Sequence, residues 1–231
     1  MTFFLGLDLG QASDPTAIAV VERLLPSPPA PAPTPRRLAS RAPVFPSSLY
    51  PVPSRPQAPP PYEFDCRHLE RVPLNTSYPA VVDRVQELLA TPALRNQTQL
   101  VVDATGVGRP VVDLFEHRGL DPVAITITGG DTVTYERGWR VPKRDLVGAV
   151  AVLLQSDRLR FAERLPEVPT LVRELLAFRV KIDPLTAHDS YGAWREGAHD
   201  DLVLALAVAV WHGLRWTPPR PRLASFSYYT G

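Results

Sequence analysis

Ten consecutive apolar residues, Leu202 to Trp211, follow directly on a pair of aspartates, Asp200 and Asp201. Read as a helix from Asp200 to Leu214, the segment is apolar on nearly every side, and such a helix has no face to offer water. It must be buried, and the rest of the chain has to cover it. The run is about half of the roughly 20 residues that cross a bilayer, so no membrane span is expected. A chain of 231 residues, 45 % of them apolar, can build a core around such a helix, and one domain over residues 1–214 is expected.

The elements that would surround the helix alternate in type. Phe3 to Leu9 and Ala17 to Glu22 are apolar runs separated by the turn residues Ser13-Asp14-Pro15, which gives a hairpin. Glu63 to Val72 alternates well enough for a third strand. Val81, Val82, Val85, Leu88 and Leu89 recur at helical spacing over Pro79 to Ala90, with Thr76 or Ser77 as cap. Leu100-Val-Val-Asp103 then reads as a buried strand, Pro110 to His117 as a helix closed by Gly119, and Val123 to Ile127 as a fifth strand. Three antiparallel strands followed by parallel strands with helices between them predict a mixed five-stranded α/β sheet flanked by helices. Pro142 to Ser156 and Thr170 to Phe178 read as helices, and Leu159 to Phe161 as a short strand or link. Asp183 to Ala198 is polar, with Tyr191 and Trp194 as loop aromatics that could touch DNA or cover the core edge.

Of 27 prolines, 14 lie between Pro26 and Pro61, a density that favours extended, solvated backbone and reads as an inserted loop at 26–61. This stretch and the basic, proline-rich tail at 215–231 carry seven arginines and no acid; without them 18 bases face 24 acids. The compact part is therefore acidic, which suits a carboxylate site and offers only patchy phosphate binding. Cys66 is the single cysteine, so no internal disulfide and no cysteine zinc cluster is expected. The opening residues lack a basic region and place Asp8 where a signal core would lie, so an intracellular chain is expected.

The acids at the ends of these elements carry the chemistry. Asp8 ends the first apolar strand and Asp103 ends a strand that should be central. An ionised carboxylate there is costly unless a cation compensates it, and ligands of such sheets gather at the carboxyl ends of strands. Asp200 alone could be a helix cap. Two adjacent acids repel each other and only one can cap, so the Asp200-Asp201 pair is best explained by a nearby cation. Oxygen ligands suit Mg²⁺ or Mn²⁺, and two ions about 4 Å apart would serve phosphodiester hydrolysis.

Gly6-Leu-Asp8-Leu-Gly10 with Asp14-Pro-Thr16-Ala, Leu100-Val-Val-Asp103-Ala-Thr-Gly106-Val-Gly108, Val141-Pro-Lys143-Arg144-Asp-Leu-Val and Gly197-Ala-His199-Asp200-Asp201-Leu-Val-Leu-Ala, in this order, resemble the nuclease domain of phage terminase large subunits. The resemblance covers most of the chain outside 26–61 and the tail. It implies a ribonuclease H-like fold related to RuvC-type resolvases, with Asp8, Asp103 and Asp200 or Asp201 as metal ligands and catalytic residues. It further implies an endonuclease that cuts double-stranded DNA during genome packaging with Mg²⁺ or Mn²⁺, phage or prophage encoded and acting in the bacterial cytoplasm. The sequence holds no Gly-x-x-x-x-Gly-Lys-Ser/Thr loop, and Gly106-Val-Gly108 has the wrong spacing for one. The sequence would then be an isolated domain, a free-standing nuclease that works with a separate packaging ATPase or small terminase subunit, or a related protein put to another use.

Lys143 and Arg144 stand at a helix start, where their charge opposes the dipole, so phosphate contact is one expectation and a solvated surface the other. His199 could assist proton transfer or DNA contact, or be a hydrogen-bonding surface group; His188 and Asp189 carry the same ambiguity. A Holliday junction resolvase, a non-catalytic DNA- or partner-binding relative and an actin-like nucleotide-binding protein remain alternatives. The last requires a duplicated domain and a second phosphate loop, and neither is present in the sequence.

Overall fold

The computed structural model describes residues 2–10, 14–25, 62–106, 109–182, 189–193 and 199–218. The proline-rich insertion at 26–61, the tail from 219, Val107 and Gly108, His188, Trp194 and the Gly197-Ala198 lead-in to the acidic pair lie outside the described residues.

Strands β1 (Thr2–Asp8), β2 (Ala17–Leu24) and β3 (Glu63–Arg71) form an antiparallel meander. Helix α1 (Tyr78–Ala90) leads to β4 (Thr98–Asp103), and α2 (Arg109–His117) leads to β5 (Val123–Thr128). β4 lies parallel to both β1 and β5. The five expected strands thus have the expected directions, in the order β3-β2-β1-β4-β5. The sheet grows to eight strands: β6 (Thr134–Tyr135) and β7 (Trp139–Pro142) extend it beyond β5, and β8 (Leu159–Phe161) pairs parallel to β3 at the other edge. These additions have two to four residues each; β8 coincides with the short strand or link expected at Leu159 to Phe161, while β6 and β7 are too short for alternation to declare them. Between β7 and β8 runs α3 (Lys143–Gln155), and α4 (Val168–Ala177) follows.

The polar stretch expected to be irregular contains a strand. β9 (Phe178–Ile182) and β10 (Asp189–Ala193) form a separate antiparallel hairpin. Phe178 therefore starts a strand rather than ending a helix, and Tyr191 lies in one.

Helix α5 (Asp201–Arg215) is buried from Asp201 to Gly213, as its composition demands. It packs on the face of the sheet that presents Phe4, Ala17, Val101 and Ile125, with α3 and α4 alongside it. The opposite face presents Leu5, Leu7, Ile18 and Val102 to α1 and α2. Burying a helix leaves its terminal N–H and C=O groups to be satisfied by neighbours. At the carboxyl end the Arg23 guanidinium donates to the carbonyls of Gly213 (2.8 Å) and Trp216 (2.7 Å). At the amino end the Val203 N–H donates to the Glu174 carboxylate of α4 at 3.1 Å. The helix also comes very close to β1, because Gly6 has no side chain: a Cβ there would lie 2.0 Å from the Ala205 carbonyl oxygen.

Candidate metal centre

Strand register puts the two strand-borne acids side by side. Asp8 of β1 is level with Asp103 of β4, and the same cross-strand row continues through Ile125 to Trp139 on one side and through Ala17 to Arg71 on the other. Side chains alternate along a strand, and Ala17, Ile125 and Trp139 all belong to the core on the α5 side. Asp8 and Asp103 consequently project toward the start of α5, where Asp200 and Asp201 stand. Three segments, each more than 90 residues from the next in sequence, thereby supply acids to one rim of the sheet.

Burial raises the Asp8 carboxyl well above its ordinary value, and the Asp103, Asp201 and Asp200 carboxylates add to the rise. Burial also raises Asp103, opposed by hydrogen bonds from Thr105, by its bond with Asp8 and by the charge of Lys143. The Thr105 N–H donates to Asp103 Oδ1 at 2.8 Å, an interaction local to the strand end. Asp8 and Asp103 share a hydrogen bond and titrate as a coupled pair, both raised by burial.

The helix-borne acids are bonded differently. Asp200 Oδ2 accepts from Lys143 Nζ at 2.6 Å. Asp201 is buried and lies 3.3 Å from the Arg71 guanidinium and 3.8 Å from His199 Nδ1. Burial raises its carboxyl to about 6, against the pull of Arg71 and His199. His199 Nδ1 also lies 3.4 Å from Asp14.

Lys143 and Arg144 both have partners within the protein. Lys143 has Asp200 as its partner, and Arg144 pairs with Asp131 at 2.7 Å and with Asp145 at 3.5 Å. A carboxylate from a distant segment, rather than a phosphate alone, accounts for a cation placed against the helix dipole.

Two residues of this site escaped the sequence reading. Glu174 is buried in α4, and its carboxylate receives both the Val203 N–H and the Arg71 guanidinium. Burial raises its carboxyl to about 7, and Asp201 contributes to the rise. Arg71, at the end of β3, thus joins Glu174 to Asp201. The signal for Glu174 was available: it follows Leu171 by three positions and so lies on the buried face of its helix.

Among the described residues no three histidine, cysteine or acidic side chains are already gathered closely enough to hold an ion. The chemistry of the donors nonetheless fits a hard divalent cation. They are all oxygens, they converge on Asp8, and the Asp8 carboxyl is strongly biased against carrying its own charge. A cation is the addition that would let Asp8 and Asp103 ionise together.

Neither the family models nor the curated proteins compared with it match this sequence. Solved structures do resemble it. The large terminase nuclease from thermophilic phage G20c superposes with a TM-score of 0.58 at 17 % identity, over 90 % of this chain and 80 % of that one. A second structure of the G20c nuclease, with bound zinc, gives 0.49 at 16 % identity over 90 % and 79 %. The manganese-soaked terminase nuclease domain of human cytomegalovirus gives 0.47 at 11 % identity over 90 % and 82 %. At such identities the likeness speaks for architecture: this chain has the ribonuclease H-like fold of a large-terminase nuclease domain.

Proposed function

We propose that the chain is a divalent-metal-dependent endodeoxyribonuclease of terminase type, with 1–214 as its nuclease domain. Its substrate is double-stranded DNA, cut during genome packaging in concert with a packaging ATPase or a small terminase subunit. The observation that carries this reading is the register that makes Asp8 and Asp103 neighbours at the rim where Asp200 and Asp201 begin α5. A buried carboxyl pair beside two more acids is poorly explained by stability, since it opposes it. Acids retained at such a cost are candidates for function.

Asp8, Asp103 and Asp201, with Asp200, would hold a pair of Mg²⁺ or Mn²⁺ ions. When bound, such ions polarise a phosphodiester and make a nucleophile of water at neutral pH. The protein's own groups prepare the site. The Thr105 N–H fixes one oxygen of Asp103. Arg71, braced by Glu174, orients Asp201. Lys143 restrains Asp200 and lends positive charge to Asp103. His199, about one-third exposed beside Asp201, has Nδ1 placed to hold or pass a proton at the edge of the acid cluster.

The test is plasmid cleavage in manganese, magnesium and chelator by the wild type, Asp8→Ala and Asp103→Ala. Cutting in manganese or magnesium is expected for the wild type alone, with a loss of at least about 100-fold in each variant, as for the loss of a group that stabilises transition-state charge. Equal residual cutting by all three proteins would identify a contaminant and end the proposal.

A further inference from the structure

Strands β4 and β5 part company at the rim. They pair as far as Asp103 and Ile125, and the Ala104 N–H still donates to the Ile125 carbonyl at 2.8 Å. There β4 ends, while β5 runs on to Thr128 against β7. Ile127 is left beyond the fork, and its N–H needs an acceptor from outside the ladder. A continuing parallel strand would offer a carbonyl. Instead the Thr105 hydroxyl accepts the Ile127 N–H at 2.7 Å.

A threonine hydroxyl can accept and still donate its one proton. With Ile127 as the donor, the Thr105 proton goes to Asp103, whose charged form is favoured by both the hydroxyl and the N–H of Thr105. The N–H bond, 2.8 Å to Oδ1, is a turn closed by the Asp103 side chain, which any residue but proline could complete at this position. The second bond, and with it the link to β5, needs a hydroxyl. One residue thus holds the Asp103 carboxylate with two donors and fastens it to the neighbouring strand. Thr105 is itself exposed, so water can replace its bonds and their share in folding is small. What remains is their effect on the orientation of a carboxylate beside Asp8.

We infer that Thr105 is a positioning residue of the candidate metal centre: its hydroxyl ties the Asp103 carboxylate to the Ile127 amide and so sets the orientation in which Asp103 meets a cation. The inference rests on the reading of Asp103 as a metal ligand. An ionised carboxylate has about four acceptor positions, so two bonds from Thr105 leave room for the ion. Partners that orient a ligating side chain in this way are worth about 10- to 100-fold in metal affinity.

The experiment measures manganese binding by calorimetry, and exchange of the Ile127 amide in chelator, on the full chain as wild type, Thr105→Val, Thr105→Ser, Thr98→Val and Asp103→Ala. Thr98 is the control: it lies at the opposite end of β4, and its hydroxyl donates to the Leu94 carbonyl at 2.7 Å. Thr98→Val therefore removes a comparable bond away from the acids. Thr105→Val is expected to weaken manganese binding about 10- to 100-fold and to speed exchange at Ile127. Thr105→Ser should restore both to near the wild-type values, and Thr98→Val should leave both unchanged. Equal manganese affinity in the wild type and Thr105→Val would overturn the inference, even with faster exchange. An equal loss of affinity in Thr98→Val would also overturn it, by reducing the effect to general destabilisation. Asp103→Ala binding manganese no more weakly than the wild type would refute the metal reading itself, and the role of Thr105 with it.

Discussion

Asp8 and Asp103 stand on neighbouring strands and are coupled to each other by a hydrogen bond, whereas Asp200 and Asp201 stand on a helix start and each answers to a base. The strand pair is placed by register alone, and nothing nearby cancels its charge fully. The helix pair is held by Lys143, Arg71 and His199, brought from β3, α3 and the approach to α5. The difference separates two tasks. The helix acids are stabilised in position before any ion arrives, and the strand acids keep an unmet demand for positive charge.

That contrast can be broken most forcefully at Arg71. Arg71→Leu removes the base shared by buried Glu174 and Asp201, and breaking one side of such a pair costs about 3 kcal/mol. In a protein of this size that lowers the melting temperature by roughly 10 °C at pH 7.5; a calorimetric change under about 2 °C would mean that the helix acids do not depend on their base. Asp8→Asn should act in the opposite direction in chelator. With no charge to suppress, the folded protein should gain about 2 kcal/mol, and chemical denaturation of the metal-free protein would read it as a higher midpoint. A lower midpoint would show that the strand pair is self-sufficient.

The smallest effect is the dependence on pH. Glu174 and Asp201 have folded values of about 7 and about 6, above their ordinary 4.5 and 3.8. A raised acid favours folding while protonated. Its contribution is complete below the ordinary value and disappears as pH climbs through the folded value, so metal-free stability should fall between about pH 4 and 7. The slope per group is at most about 1.4 kcal/mol per pH unit. Glu174→Gln should flatten the melting temperature across the upper part of that window, and manganese should stabilise the wild type more at pH 7.5 than at pH 5. Identical profiles for the wild type and Glu174→Gln would remove Glu174 from the account.

Much of this arrangement was legible in the residues. Asp8 and Asp103 interrupt apolar strands, and Asp200-Asp201 opens a helix that had to be buried, so three of the site's segments declared themselves by local conflict. Arg71 gave no such sign. Its strand starts with Phe64 and Cys66 facing the α5 side, and a register shift opposite Val20 and Val21 then moves the inward set to Leu69 and Arg71. A bulge changes the phase of a strand, and a period of two read through it assigns the last residues to the wrong face. Lys143 was noticed, but its partner lies 57 residues away, beyond the reach of any helical or strand periodicity. The edge strands β6 and β7 were too short to announce themselves, whereas β8 fell on the short strand or link expected at Leu159 to Phe161.

Gly6 sits two residues before Asp8 and directly beneath α5, where even a methyl group would fall 2.0 Å from the Ala205 carbonyl oxygen and 2.9 Å from the Ala209 Cβ. To admit that methyl, the helix would have to lift by more than about 1 Å, carrying Asp201 with it. A single missing side chain therefore acts as a spacer gauge, and the width of the cleft between strand and helix acids is set by how little lies between their backbones.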